Sequence, residues 1–541
     1  MRTKLTALVG FLPLGAFWLF PLLMGLLAAF YAAGDGAAWS ALFAHPQFWS
    51  ALRLSLVTGT VSLVVSTVLA LWIVAGVHGT SRWPRLAGHM GGFLSLPHLA
   101  FAIGLGFLIM PSGLMARVPG SLAGWTAPPQ WITTQDPYGI SLVAVLILKE
   151  VPFVIWLISS LLARKDIAPM LRGHWLVSQS LGHGSASTWL RVFIPQILPR
   201  LKWPLIIVWV YGASVVDVAL AIGPTQPPPL AVIIWADLNN ADQAINARGS
   251  VGALFLTVVL AGLGLAFHAA WRLASPKIAR FVVRGPSPGS IARKSALALL
   301  TFMCAIYVLV LLVLGIMSIA AQWPYPDLLP TQLRWAAWEQ ALASPAPLIN
   351  SLSFALACVI AALAFAVMWF ESVDERLDPV LLALAVAALA LPSLLIADGQ
   401  YLVFLQLGLN GTWFGVFLAH LTPVFAYVFI VLKGPYRAFD ARYRSVSLGL
   451  NTSALRFWLA IKMPLLKPAL AAAAAIGVGV GMAQYVPIQL IAAGRISTLS
   501  IEAVTLASGG NRQLLAVFSL MLAVIPLAAF ACAARLGRQT P

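Results

Sequence analysis

Asp217, inside the apolar run VYGASVVDVALAIGP, has the most to do if that run crosses a membrane. A carboxylate at membrane depth is costly and turns toward protein or a water-filled path. Facing such a path it would suit a cationic cargo. Otherwise it bonds laterally to a neighbouring helix or sits nearer the outer interface. Gln484 and Tyr485, in GVGVGMAQYVPIQL, hold the related place in the second half. Lys149 and Glu150 are adjacent, so on a helix they leave from different faces, beside a bend at Pro152. Asp398 is close enough to the end of an apolar run to be interfacial. His98 and His420 lack the paired His or carboxylate spacing of a metal site and read as pore or packing residues.

Catalytic chemistry finds no footing in this inventory. The chain has no Gly-x-x-x-x-Gly-Lys-[Ser/Thr], so it does not cradle nucleotide phosphates in a P-loop. Gly-x-Ser-x-Gly and His-Glu-x-x-His are also missing. Cys304, Cys358 and Cys532 all lie in apolar runs, which implies packing and neither a disulfide framework nor a metal cluster. An intramembrane enzyme would need a nucleophile, base or ligand cluster that these residues do not assemble.

The elements that position these residues must be membrane helices. Of 541 residues, 61% are hydrophobic and only 9% charged, too few polar groups to clothe a soluble globule, so the bilayer is the solvent. The net charge of +17 does not imply nucleic acid, because the basic residues lie between apolar runs instead of clustering with aromatics on one exposed face. The first apolar run, Leu5 to about Ala33, is too long for a signal-peptide core and reads as a retained span. Further spans are expected near 51–76, 88–110, 138–162, 204–222 and 250–271, then 296–320, 348–370, 380–398, 412–432, 469–490 and 514–534. The expectation is an all-α polytopic membrane protein of about 12 transmembrane helices with both termini cytoplasmic. Most of the Lys and Arg then fall inside; the acidic stretch ESVDERLD, Glu371 to Asp378, goes against that trend.

The two halves repeat. Ser-x-Ser-Leu-Gly occurs at Ser178–Gly182 and Ser445–Gly449, each followed by Trp-Leu-x-[Val/Ile]-x-[Ile/Met]-Pro-x-x-x-Pro, ending at Pro199 and Pro468. The interval from Gly182 to Gly449 is shorter by two than the interval from Pro199 to Pro468, which implies two extra residues in the second copy. Leu96-Pro97 and Gly104 match Leu391-Pro392 and Gly399, and Pro152 matches Pro423. The offset change between these pairs points to an insertion, Pro111 to Gln135, on the outer face. Two parallel six-helix repeats follow, 1–280 and 281–541, joined through 271–294 with its Gly-Pro-Ser-Pro-Gly run. Pro97, Gly104, Pro392 and Gly399 either pack helices closely or break them beside a central path. In each polar island the Leu-Gly pair, Leu181-Gly182 and Leu448-Gly449, should break a helix with positive φ at glycine, so that a short helix lies across the membrane surface; Pro195 and Pro199 should mark its return in the first island, with Pro464 the counterpart of Pro195 in the second. A basic loop held to anionic lipid is the plainer alternative.

The spacing of Gly182 and Pro195, in a loop before the penultimate span of their half, resembles the EAA loop of binding-protein-dependent ABC importer permeases. In the second copy, Gly449 to Pro464 is longer by two, and the family's Glu is missing from both, where Leu176-Val177-Ser178 and Tyr443-Arg444-Ser445 align. The resemblance spans nearly the whole chain and is nearest to the fused iron(III) and thiamine subclass, with PPQWITTQDPYG and LKEVPF similar to thiamine-type permeases. It implies a type I importer permease fold in a bacterial inner membrane. It also implies coupling loops near 164–203 and 433–468, with Ser178, Leu181, Gly182, Pro195, Ser445, Leu448, Gly449 and Pro464 meeting two copies of an ATPase. ATP and Mg would be bound by those subunits, none by this chain, and a periplasmic binding protein would deliver the solute. An ion-gradient-driven transporter with six plus six helices is the alternative. Its largest cytoplasmic loop should lie between the sixth and seventh spans, whereas here the duplicated islands are at least comparable.

Overall fold

The computed structural model describes residues 12–164, 166–282 and 293–538. Met1 to Lys4 and the Gly285–Gly289 run lie outside them. Nearly every described residue that belongs to an element is helical; one small antiparallel pair joins Ala320–Gln322 to Gln332–Leu333. Among the described residues, eleven helices are long and apolar enough to cross a membrane, and a bent pair brings the number to twelve. The all-helical polytopic expectation holds.

The spans differ from their expected bounds where backbone chemistry interrupts them. The third, expected over 88–110, is two helices, Trp83–Ser95 and His98–Ile109, separated at Leu96-Pro97. The ninth, expected over 380–398, is Asp378–Ala390 and Ser393–Gln406, bent by 101° at Leu391-Pro392. Proline has no N–H to donate and forces the preceding residue out of the helical region, so Leu96 and Leu391 are extended, with ψ of 117° and 141°. The fifth and eleventh spans begin much earlier than expected, as Ser185–Ser214 and Ala454–Met482. Both then stop, and the short helices Asp217–Ile222 and Val486–Ile491 follow.

Pro195 and Pro464 therefore do not end a surface helix. Each follows one wide π turn, Trp189–Phe193 and Trp458–Lys462, and the helix continues through it. Ile194 and Met463 reach back to the Trp189 and Trp458 carbonyls, and the wide turn accommodates the missing proline donor.

From the islands onward the succession of elements recurs at one constant interval. The same separation holds between Ser185 and Ala454, Asp217 and Val486, Leu230 and Leu499, and Gln243 and Arg512. Hydrogen bonding recurs with it. Ser55 Oγ accepts from Leu230 N at 2.9 Å, and Ser351 Oγ accepts from Leu499 N at 2.9 Å, so one buried serine caps the same short helix in each half.

The first helix of each half packs on the other half. Trp18 donates to the Thr422 carbonyl at 2.9 Å and its ring meets Phe425 at 4.8 Å. Tyr307 donates to the Leu148 carbonyl at 3.0 Å and meets Phe101 at 4.7 Å. Gly104 and Gly399 sit at these crossings. A Cβ at Gly104 would lie 2.6 Å from Val310, and one at Gly399 would overlap the Gly25 carbonyl oxygen. Both glycines thus allow close packing of helices from opposite halves. The largest buried cluster accordingly mixes the halves, with Leu99 and Val218 beside Leu394 and Val486.

Residues 111–135 carry a helix of their own, Leu114–Ala123. Its buried Arg117 donates to the carbonyls of Ser112, Trp323, Pro324 and Asp327 at 2.6 to 2.8 Å, tying this segment to the small hairpin region. Two of the four acids in the stretch 371–378 are also paired. Asp378 accepts from Arg437 at 2.7 Å, and Glu371 from Lys462 at 2.6 Å, which is why acids are tolerated beside a basic island.

Candidate functional site

The two islands are built alike, in a register two positions away from the one the shared motif suggests. In the first, the Ala168–Ser180 helix ends with Gly182 at φ +82°; Gly182 N donates to Gln179 O at 3.0 Å and His183 N to Ser178 O at 3.1 Å. This is a Schellman turn with glycine in the left-handed position. In the second, the Arg442–Gly449 helix ends with Asn451 at φ +54°; Asn451 N donates to Leu448 O at 3.0 Å and Thr452 N to Ser447 O at 3.2 Å. Asn451 is therefore the counterpart of Gly182, and it stands as far before Pro464 as Gly182 stands before Pro195. Gly449 is the last helical residue, with open space around it, and makes no positive-φ turn. The two extra residues expected in the second copy do not exist. Asparagine escaped notice because glycine is the usual signal for a left-handed cap, although Asn also tolerates that region.

The corrected register realigns the other island residues. Ser178 pairs with Ser447, both buried, and not with Ser445. Ser178 Oγ meets Thr188 Oγ1 at 2.8 Å, and Ser447 Oγ meets the Thr452 hydroxyl, so each turn is tied internally. Leu181 corresponds to Leu450, not Leu448, and the two are 63% and 72% exposed. Leu176, Val177, Val446, Leu448 and Leu455 are also exposed. Exposed apolar side chains around an ordered turn, on a segment otherwise basic, form a surface that a protein partner can cover. Each island is entered past an exposed ion pair, Arg164–Asp166 and Arg442–Asp440; side-chain hydrogen bonds from the arginines hold both carboxylates below their ordinary range.

The broken helices bring a second group of residues together. Pro97 and Pro392 are the buried caps preceding His98–Ile109 and Ser393–Gln406. The next residues, His98 and Ser393, open out between buried neighbours, His98 with 31% of its side chain exposed. His98 lies 3.2 Å from Glu150 and 4.9 Å from the Tyr211 ring. Asp217, first residue of its short helix and half-buried, is within electrostatic reach of His98, Tyr211 and Tyr485. Tyr485 is buried at the matching break, 6.1 Å from the Trp235 ring. Gln484 is half-buried; its Nε2 donates to the Val480 main-chain carbonyl, and its own main-chain carbonyl accepts from Ser500 Oγ. Lys149 is not part of this group, because its ammonium is tied to the carbonyls of Phe93 and Leu96 at 2.9 and 2.5 Å. Asp398 is buried, where the sequence suggested an interfacial position, and His420 bonds to Val416 O at 3.0 Å as a packed core residue. Sequence reasoning singled out His98, Glu150 and Asp217 separately; the helix breaks that unite them with Tyr211 and Tyr485 are what one-dimensional spacing does not show. Among the described residues, no group of three His, Cys, Asp or Glu could hold a metal ion.

An all-helical polytopic bundle with two ordered islands and broken helices meeting inside defines a membrane protein consistent with an ABC transporter permease. The chain is 29% identical, over 524 residues, to the inner membrane ABC transporter permease protein YnjC of Escherichia coli (strain K12), covering 96% of this chain and 94% of that one. That likeness supports a transport subunit. No protein-family model matches the chain.

Proposed function

We propose that the chain is the fused transmembrane subunit of an ATP-driven importer of the bacterial inner membrane, each half acting as one permease of a pair. The observation that carries this reading is the matched pair of Schellman turns with exposed Leu181 and Leu450, one at the same place in each half. Two ATPase copies would seat on these turns. ATP binding would draw them together, and the continuous helices Ser185–Ser214 and Ala454–Met482 would carry that motion to the helix breaks. The solute, handed over by a periplasmic binding protein, would pass the His98, Glu150 and Asp217 group between the halves, in alternating access about a midplane site. Thiamine, iron(III) or a similar small solute is what the resemblance points to, and two carboxylates at membrane depth suit a cationic one.

The test is co-expression with an ATPase and a binding protein encoded beside this chain, followed by proteoliposome uptake. Uptake should need ATP inside and the binding protein outside. Asp217→Asn should slow uptake at least about tenfold, the loss of roughly one charge-assisted interaction, while the complex still assembles. Uptake that ignores ATP and collapses with the proton gradient would refute the importer reading, and undiminished uptake by Asp217→Asn would return that residue to packing.

A further inference from the structure

Behind each island, on the side facing the bundle, lies a cavity, and the two differ in one chemical respect. The first has about 680 Å³ and the second about 190 Å³. They are counterparts position for position: Ala168, Arg172, Trp175 and Phe193 line the first where Arg437, Ala441, Arg444 and Lys462 line the second, each pair separated by the interval that relates the later elements of the two halves. In the second half Arg437 and Lys462 fill the space, and the chain supplies their anions, Asp378 at 2.7 Å and Glu371 at 2.6 Å. In the first half, small Ala168 and uncharged Phe193 leave the space open, while Arg172 and Arg293 bring two cations to its wall. No Asp or Glu lines it, and among the described residues neither arginine has an acidic partner. Arg293 makes one long hydrogen bond, to the Gly76 carbonyl at 3.4 Å. His78 also lines the cavity, but burial lowers its pKa and favours the neutral ring, so the positive charge comes from the arginines.

We infer that the first-half cavity is a binding site for a phosphate-bearing anion, held by Arg172 and Arg293. Guanidinium groups bind phosphate oxygens in bidentate fashion, which suits two arginines converging on one opening. The cavity lies at the ends of the Phe48–Val77 and Ile140–Leu162 spans, the depth at which lipid head groups sit, so the phosphate can come from an anionic phospholipid or from a soluble anion. Ser185, the first residue of the segment that follows the Gly182 turn, is part of the wall. An occupant would therefore brace the first island as the ion pairs of Arg437 and Lys462 brace the second. The inference does not depend on the importer reading, because binding is measured on this chain alone.

The purified chain, loaded with a mixture of phosphatidylglycerol and phosphatidylcholine, would be examined by native mass spectrometry, and separately titrated with inorganic phosphate by calorimetry. The double variant Arg172→Gln/Arg293→Gln removes both cations. Ala168→Glu keeps both arginines but puts a carboxylate one helical turn before Arg172, supplying internally what the second half already has; it stands in if the double variant does not fold. The wild-type chain should retain phosphatidylglycerol over phosphatidylcholine by at least about tenfold, as two surface arginines imply, and both variants should lose that preference. Phosphate binding by calorimetry that both variants abolish would support the site with a soluble occupant. A wild-type chain that shows neither binding, or binding unchanged in both variants, overturns the inference.

Discussion

Residues 182, 449 and 451 decide how the islands are read. The sequence offers Gly182 and Gly449 as equals because each ends a Ser-x-Ser-Leu-Gly run, but the backbone turns at Gly182 and Asn451. Replacing Gly182 or Asn451 with Val places a β-branched side chain at positive φ, at a cost of about 1 to 3 kcal/mol. Gly449→Ala instead replaces a helical glycine with open space around it, and should stabilise by about 0.5 to 1 kcal/mol. Thermal unfolding of the three variants would therefore show Gly182→Val and Asn451→Val lowered and Gly449→Ala unchanged or raised. A destabilised Gly449→Ala would restore the motif's own register. At this scale the charged residues were legible from the sequence because charge inside an apolar run is conspicuous. The left-handed asparagine was not, since its cue is a dihedral angle and not a residue type.

Helices in this chain are shaped by where they break and where they touch. The Leu-Pro breaks could be anticipated, because proline's missing donor is a local fact about the backbone. The early starts of the fifth and eleventh spans could not, because a π turn lets the helix pass Pro195 and Pro464 without stopping. Gly399 shows the same limit for contacts. Its pairing with Gly104 was visible, but the partner at each crossing belongs to the opposite half and is far away in the chain. At Gly399 the obstruction is the backbone carbonyl of Gly25, which no side-chain rotamer can relieve, so Gly399→Ala should destabilise by about 1 to 3 kcal/mol through overpacking. Gly315→Ala, on a helix face with open space, is the control. Equal melting temperatures for the two variants in the same detergent would show that the crossing of the first helix over the second half is not tight.

Across the whole molecule, composition alone was enough for the membrane class, while the placement of basic islands sets an expected orientation, with islands and termini inside. Accessibility in intact cells tests that orientation. Cysteines at exposed Ser121 and Ser508 should react with an impermeant thiol reagent, and cysteines at Ser185 and Ser453 should not; the reverse pattern would invert the protein. What composition could not foresee is the asymmetry between halves: Arg117 gripping a second-half loop, His98, Glu150 and Asp217 all contributed by the first half, and ion pairs closing only the second island's cavity. Such differences arise where one copy of a position has changed and its twin has not, so a repeat motif hides them. On the proposed function, the two Schellman turns seat two ATPase subunits. A photo-reactive side chain at Leu181 or at Leu450, in proteoliposomes holding the chain and its ATPase, measures this most directly, with exposed Leu122 of the 111–135 segment as the comparison site. ATPase crosslinks are expected from both Leu181 and Leu450 and none from Leu122; crosslinks confined to lipid at either turn would contradict ATPase docking there.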